Sequence, residues 1–288
     1  MSGVIQRSSR FAAITGAGSG LGRDIALGLA AKGYRVFGTA ITPEEITDLQ
    51  QASGGAVTLT SCDITNDPAV KRWARAVSAQ TDGGLNLLIS NAGILTPGPI
   101  EALPLDSIRR EFEVNVFGAL SVVNEFLPAL RKARGRIVQV STWTAHLPLP
   151  FNGPSGASKA AMEVFATVYR EELKRFGIDV VVAVAGNMKT GGPAKTAAAL
   201  ARTAERMTPE EHELYGDAFN AFSARLNGMQ SSGLASIDAA KRVIELAEQN
   251  PAPRFAAVGQ DAEEILRVVR EKSDDEQDAL RLQIVGLR

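Results

Sequence analysis

The string Thr15-Gly16-Ala17-Gly18-Ser19-Gly20-Leu21-Gly22 follows directly on the apolar run Phe11–Thr15 and opens a helical pattern. That context gives the glycines their meaning. A Cβ at Gly16 or Gly20 would obstruct the turn, or the approach of a phosphate to the backbone N–H groups at the helix start, and Gly22 lets the helix pack closely on the strand. Placed at the first strand of a βαβ repeat, the segment reads as a dinucleotide-binding turn formed by Thr15, Gly16, Gly18, Ser19, Gly20, Leu21 and Gly22.

The helix behind the turn carries its burial stripe through Leu21, Ile25 and Leu29, and Gly33 ends it by accepting a left-handed conformation. Further apolar or β-branched runs follow at Tyr34–Ala40, Ala56–Ser61, Leu85–Ser90, Arg136–Ser141, Ile178–Val184 and Arg254–Val258. Helix-length segments separate them, so the pattern predicts an α/β fold, a Rossmann-type doubly wound parallel sheet of about seven strands in a single domain. Residues 187–233 break the rhythm and predict an inserted helical lid, with a second helix start at Thr208-Pro209-Glu210-Glu211. Residues 260–288 read as a charged helical tail.

Bulk properties narrow the partners. A net charge of −1 without a dense Lys/Arg stripe removes the attraction that drives nucleic-acid binding. No stretch approaches the apolar length of a membrane span. The single cysteine, Cys62, cannot form an internal disulfide, and the expectation is a cytoplasmic protein. No metal-ligand cluster is predicted.

Further motifs fall in order: Cys62-Asp63-Ile64-Thr65 after the third strand, Asn91-Ala92-Gly93 after the fourth, Glu113-Val114-Asn115-Val116 in a helix, and Ser158-Lys159-Ala160-Ala161 in another. With the glycine turn they resemble the short-chain dehydrogenases/reductases over about residues 11–260. The resemblance implies that Asp63, with Ile64 beside it, meets the adenine, that Asn91, Ala92 and Gly93 pass the ribose, and that Asn115 holds a water in the proton path. It further implies that Gly186, Met188 and Thr190 border the nicotinamide, that Lys159 holds its ribose, and that the chain forms a homodimer or homotetramer through the helices at Ile108–Arg131 and Ser155–Arg175. The dinucleotide is NADP or NAD. The end of the second strand, Thr39-Ala40-Ile41-Thr42, lacks the acid that selects NAD, and Thr39 or Thr42 could donate to a 2′-phosphate, which favours NADP.

Hydride transfer to a carbonyl builds negative charge on oxygen, so a proton donor and a second hydrogen bond are needed there. The family supplies a Ser, a Tyr thirteen residues later and a Lys four residues after the Tyr. Counting back from Lys159 gives Ser155 at the tyrosine position and Thr142 at the serine position, with Ser141 beside it. Three readings stay open: a reductase whose tyrosine was replaced, naturally or by design; a reductase with another donor, for which His146 is the one titratable side chain between Ser141 and Lys159; or a chain that binds the dinucleotide without redox chemistry, as a sensor, a structural subunit or a non-redox lyase or isomerase. The leading expectation is an NAD(P)-dependent oxidoreductase that interconverts a carbonyl and a secondary alcohol on a bulky apolar substrate, with reduced or atypical acid/base catalysis. The lid residues Met188, Met207, Phe219, Phe222, Leu226 and Met229 either line the substrate pocket or pack on the body.

Overall fold

A computed structural model of the chain describes residues 10–189 and 192–287. In its first half β1 (Arg10–Ile14), α1 (Gly20–Ala31), β2 (Tyr34–Ala40), α2 (Pro43–Ala52), β3 (Val57–Ser61), α3 (Asp67–Gln80) and β4 (Leu87–Ser90) alternate. Then come α4 (Leu105–Phe112), a π-helical turn (Glu113–Gly118), α5 (Ala119–Ala133), β5 (Arg136–Thr142), α6 (Gly153–Leu173) and β6 (Asp179–Ala185). The last part holds β7 (Met188–Lys189), α7 (Gly192–Arg206), α8 (Pro209–Ser232), β8 (Leu234–Ala235), α9 (Ser236–Glu248), β9 (Phe255–Val258), α10 (Gln260–Glu271) and α11 (Asp274–Val285).

Seven strands form one parallel sheet in the order β3-β2-β1-β4-β5-β6-β9. Strand order reverses between β1 and β4, and in such sheets the crevice at that reversal is where ligands bind. The strands are apolar on both faces because both are covered. In β6, Val180, Val182 and Val184 face one core while Val181 and Ala183 face the other. The first core is closed by α3, α5 and α6, with Trp73 and Phe126 packed edge to face at 4.8 Å between ring centroids. The second is closed by α1, α2 and α9, through Leu21, Ile25, Leu29, Leu49 and Val243. Gly33, at φ +83°, ends α1 as the sequence predicts.

Residues 187–233 hold β7, α7 and α8, and β8 returns beside β7 as a two-stranded parallel pair with no counterpart among the predicted strands. The predicted second start is the N-terminus of α8, where Thr208 and Glu211 form a reciprocal capping box. Phe219 and Phe222 of α8 pack on Phe151 in the loop before α6, at 5.8 and 5.6 Å between centroids. Met207, Phe219, Phe222 and Leu226 are buried in the first core, so the lid's apolar residues chiefly anchor it to the body. The end of the chain is two helices, and Val285 of α11 is fully buried in that same core. No helix among the described residues is long and apolar enough to cross a membrane.

Phe126 is 1% exposed at the centre of the first core. Phe126→Ala is expected to lower the unfolding free energy by about 3–5 kcal/mol, read as a shift of the denaturant midpoint at unchanged slope. A shift under about 1 kcal/mol would mean that this contact collapses without leaving a cavity.

Candidate active site

The glycine turn is fixed from two sides. From β2, Thr39 Oγ1 accepts the Gly16 N–H at 3.0 Å and the Thr39 carbonyl accepts the Ala17 N–H at 2.8 Å. From β4, the Asn91 amide nitrogen donates to the carbonyls of Thr15 and Gly16 at 3.0 and 3.3 Å, and Thr15 Oγ1 accepts the backbone N–H groups of Asn91 and Ala92 at 2.9 and 3.0 Å. Gly16 and Gly20 sit at φ +65° and +55°, a region that side chains resist. A Cβ on Gly22 would lie 2.2 Å from the Gly16 carbonyl oxygen and 2.6 Å from Asn91 Nδ2. The glycines are therefore required by backbone geometry alone.

Beside the turn lies a cavity of about 390 Å³ lined by Gly16, Gly18, Ser19, Thr39, Ile41, Asp63, Ile64, Asn91, Ala92 and Gly93, as the sequence predicts. Three further charged lining residues have no signal in the motifs: Glu45, Arg110 and Lys195. Glu45, from the first turn of α2, accepts the Ile41 N–H at 3.2 Å. Arg110 reaches from α4 to Asp63 Oδ2 at 3.0 Å. Burial opposes ionisation of Asp63, yet the donors of Thr65 and Arg110 hold its carboxyl below the usual range. Lys195, on α7, places Nζ 3.2 Å from Ser19 Oγ. The hydroxyl oxygens of Thr39 and Thr42 are taken up locally, by Gly16 and by the Glu45 N–H at the cap of α2. Thr39 lines the cavity at 2% exposure with its oxygen bracing the turn; Thr42 is exposed but does not line the cavity.

A second cavity of about 660 Å³ shares Asn91, Gly93, Ile94 and Lys195 with the first and runs under α7 and α8. It brings together Leu21, Thr142, Ser155, Lys159, Gly186 and Met188. Thr142 ends β5, while Ser155 and Lys159 lie one turn apart on α6, which turns both toward one space. Lys159 Nζ donates to the Val140 carbonyl at 3.1 Å. The side chain borders the cavity, but its ammonium is surrounded by protein, and this burial pushes its pKa down to about 8 against the pull of Glu111 and Glu163. The rest of the wall is largely apolar, with Leu95, Trp143, Leu149 and Leu226, and no carboxylate lines it among the described residues.

Asn115 occupies the π-helical turn and is 1% exposed. A single wide turn of this kind re-aims side chains inside a helix. Asn115 Oδ1 accepts the Ile94 N–H, and Nδ2 donates to the Ile94 carbonyl and to Ser158 Oγ, all at 2.9 Å. The asparagine thus ties the loop after β4 to α6 behind the active-site wall.

His146 is the main departure from the sequence reading. It lines neither cavity; it borders a separate groove of about 910 Å³ beside β9, with its ring against Phe255. Its Nε2 lies 3.0 Å from Glu163 Oε2, and Ser141 bonds the other oxygen of the same carboxylate. The short 3-10 turn at Trp143–Ala145 swings the histidine behind β5, so it is withdrawn from Ser155. Tyr34, Tyr169 and Tyr215 bond to Glu248, Asn124 and Glu101 and line neither cavity. Thr190 lies outside the described residues.

The family model for short chain dehydrogenases matches residues 10–200. The chain belongs to that family. It is similar to an NADPH-dependent 3-dehydrocapnine reductase of Ornithobacterium rhinotracheale, 29% identical over 78% of this chain and 79% of the relative. It is also 33% identical to human retinol dehydrogenase 5 over 74% of this chain and 68% of the relative. A short-chain dehydrogenase of Streptomyces avermitilis superposes with a TM-score of 0.76 at 24% identity, covering 98% of this chain and 97% of the other. One from Burkholderia cenocepacia in complex with NADP does so at 0.72 and 26%, covering 97% and 99%. The chain is accordingly an oxidoreductase of the nicotinamide-dependent kind, acting on a carbonyl/alcohol pair.

Because a Cβ at position 22 collides with backbone, Gly22→Ala must push the Gly16 carbonyl or the Asn91 amide aside. We expect a loss of about 1–3 kcal/mol, measured by thermal or denaturant unfolding. Unchanged stability would contradict the tight packing of α1 on the turn.

Proposed function

We propose that the chain is an NADP-dependent reductase, or dehydrogenase in the reverse direction, of a substrate with an apolar body, and that Ser155 stands where the family keeps its tyrosine. The observation that carries this reading is the convergence of Thr142, Ser155 and Lys159 on one wall of a cavity continuous with the dinucleotide turn. The site fits a dinucleotide: the turn offers backbone N–H groups at the start of α1, and its glycines leave no Cβ in the way. When bound, the nicotinamide supplies or accepts the hydride. Gly16, Gly18, Ser19, Asn91 and Gly93 would hold the dinucleotide, with Lys159 on the ribose, and Met188 would sit at the nicotinamide end.

The protein's own part is to carry a proton and to meet the charge that builds on oxygen. Thr142 accepts from the Thr144 N–H at 3.4 Å, which leaves its own O–H free to point at a carbonyl oxygen. Ser155 offers a hydroxyl, but one shorter and far less acidic than a phenol. It relays a proton rather than releasing one, so the acid of the site is the Lys159 ammonium, whose pKa near 8 suits exchange at neutral pH. Losing the phenol costs roughly 10²–10⁴-fold in rate. The apolar wall of Leu95, Trp143, Leu149 and Leu226 favours a bulky apolar carbonyl or secondary alcohol. The same Ser155 supports a second reading, a protein that binds the dinucleotide and turns nothing over.

NADP is favoured by Lys195. Family members that prefer NADP often carry a basic residue at the position before Gly20; this chain has Ser19 there, and Lys195 brings an ammonium to the Ser19 hydroxyl from the lid. Two relatives named as NADPH-dependent reductases and the NADP complex of a structural neighbour support the same choice. Glu45 favours NAD instead, because its carboxylate takes the Ile41 N–H beside the same cavity. We also propose a homodimer or homotetramer through α6 and the π-helical turn that leads into α5, where Phe117, Val164, Phe165 and Val168 leave apolar side chains exposed.

Two measurements test these readings. Ser155→Tyr, assayed on a panel of aliphatic and aromatic ketones, is expected to raise kcat by about 10²-fold or more with cofactor affinity unchanged. No gain would favour the binding-only reading. Lys195→Met is expected to weaken NADPH binding about tenfold, a loss of about 1.4 kcal/mol, while NADH binding barely moves. Glu45→Gln should strengthen NADPH binding. An equal effect of Lys195→Met on both dinucleotides would assign the lysine to the pyrophosphate and remove its support for NADP.

A further inference from the structure

Glu111 has no part in the reaction described above, yet its carboxyl lies inside the cluster that holds Asn115 and Lys159. It projects from the last turn of α4 and is 0% exposed. Asn115 Nδ2 has two hydrogens, and the Ile94 carbonyl and Ser158 Oγ, each at 2.9 Å, are placed to take both. Glu111 Oε1, at 3.3 Å from the same nitrogen, receives a weak share. Glu111 Oε2 makes no well-aligned hydrogen bond at all.

A buried carboxylate needs several donors to replace water, and one without them is stabilised in its neutral form. Burial raises the pKa of Glu111 to about 7, although Thr96, in the loop after β4, and Lys159 pull the other way. Burial acts oppositely on the amine, bringing Lys159 down to about 8. An acid and a base that are ordinarily far apart in strength become nearly matched here.

The two groups share one small space. A Cβ on Gly93 would lie 3.1 Å from Asn115 Oδ1 and 3.2 Å from Lys159 Nζ, so the amide that touches Glu111 and the ammonium flank the same glycine. Among the described residues, the charged groups facing this pair are the two themselves and Glu163 on α6, which is engaged with Ser141 and His146. The polar groups that complete the enclosure are Thr96, Asn115 and Ser158.

We propose that Glu111 is a proton store behind Lys159, a buried neutral acid that reloads the amine after the amine has given a proton to the active site. The inference rests on the reductase reading and extends it to the supply of the proton. In the direction of reduction the hydride brings an electron pair to the carbonyl carbon, and the carbonyl oxygen takes a proton from the Ser155 hydroxyl. That hydroxyl recovers a proton from the Lys159 ammonium. The neutral amine recovers one from the Glu111 carboxylic acid, and the carboxylate is reprotonated from solvent on the Thr96 side. Each proton that enters the product is replaced, and no further reactant is consumed. Glu111 touches no substrate and acts only through Lys159, which makes it a positioning residue.

The test uses the full chain. With glutamate carrying ¹³C at the carboxyl carbon, an NMR pH titration of the wild-type protein is expected to show one glutamate titrating near neutrality, a signal absent from Glu111→Gln. If every glutamate titrates in the ordinary carboxylate range, the proposal is overturned, whether or not any reductase activity is found. For turnover, kcat/KM of ketone reduction is expected to fall on the alkaline side in the wild type. In Glu111→Gln that fall should move to lower pH by about one unit or more, because above its pKa of about 7 Glu111 is a carboxylate whose charge raises the pKa of the amine, and the amide carries none. A Glu111→Gln enzyme that is slower but keeps the wild-type limb would assign Glu111 a packing role alone. If Glu111→Gln does not fold, the wild-type titration still decides the matter.

Discussion

The hydrogen-bonded clasp between Thr15 and Asn91 ties together the ends of the two paired strands on which the site depends. β1 leads to the glycine turn and β4 to the loop at Gly93, and a crevice opens between them because the connections leave in opposite directions at the reversal of strand order. Asn91 donates to the backbone of Thr15 and Gly16 while Thr15 accepts from Asn91 and Ala92. Four bonds fix the spacing of two loops that have no ladder between them. The cavity beside the turn and the cavity under the lid share this edge, so the clasp sets the reach from the glycine turn to Ser155.

Behind the second cavity the protein accepts costs that a core would avoid. A helix is widened to a π turn at Asn115, and a carboxyl and an ammonium are buried within one cluster. Desolvation draws their proton affinities together instead of leaving a fixed ion pair. Glu163, by contrast, accepts from Ser141 and lies 3.0 Å from His146 Nε2, away from both cavities. On the reading proposed above, in which Ser155 stands at the tyrosine position, amine and carboxyl supply the proton.

The fold was legible because its strands repeat one signal. The β-branched runs and the glycine turn each answer to a local physical demand, namely burial on two faces or a backbone path that excludes Cβ. All seven predicted strands lie in the sheet, within two residues at their ends. Residues such as Thr142, Ser155 and Lys159 were found by spacing on elements already identified. Glu45, Arg110, Glu111 and Lys195 were not. Each reaches the site from an element whose approach is decided by tertiary packing, and a charged residue on an amphipathic helix carries no mark of which neighbour it will meet. Lys195 is the plainest case, since α7 lies far along the chain from Ser19 and is held over the body by Thr203, whose hydroxyl bonds the Pro97 carbonyl at 2.8 Å. His146 failed for a related reason: sequence proximity to Ser155 said nothing of the turn that points it to the far side of β5.

Trp143 lines the cavity of Ser155 and Lys159, while Trp73, the other tryptophan, is sealed in the core. Titrating NADPH against the tryptophan fluorescence therefore reads directly whether a reduced nicotinamide enters this cavity. The account predicts saturable quenching of wild-type emission that is largely lost in Trp143→Phe. Absence of saturable quenching, or quenching untouched by that substitution, would contradict a dinucleotide seated between the glycine turn and Ser155.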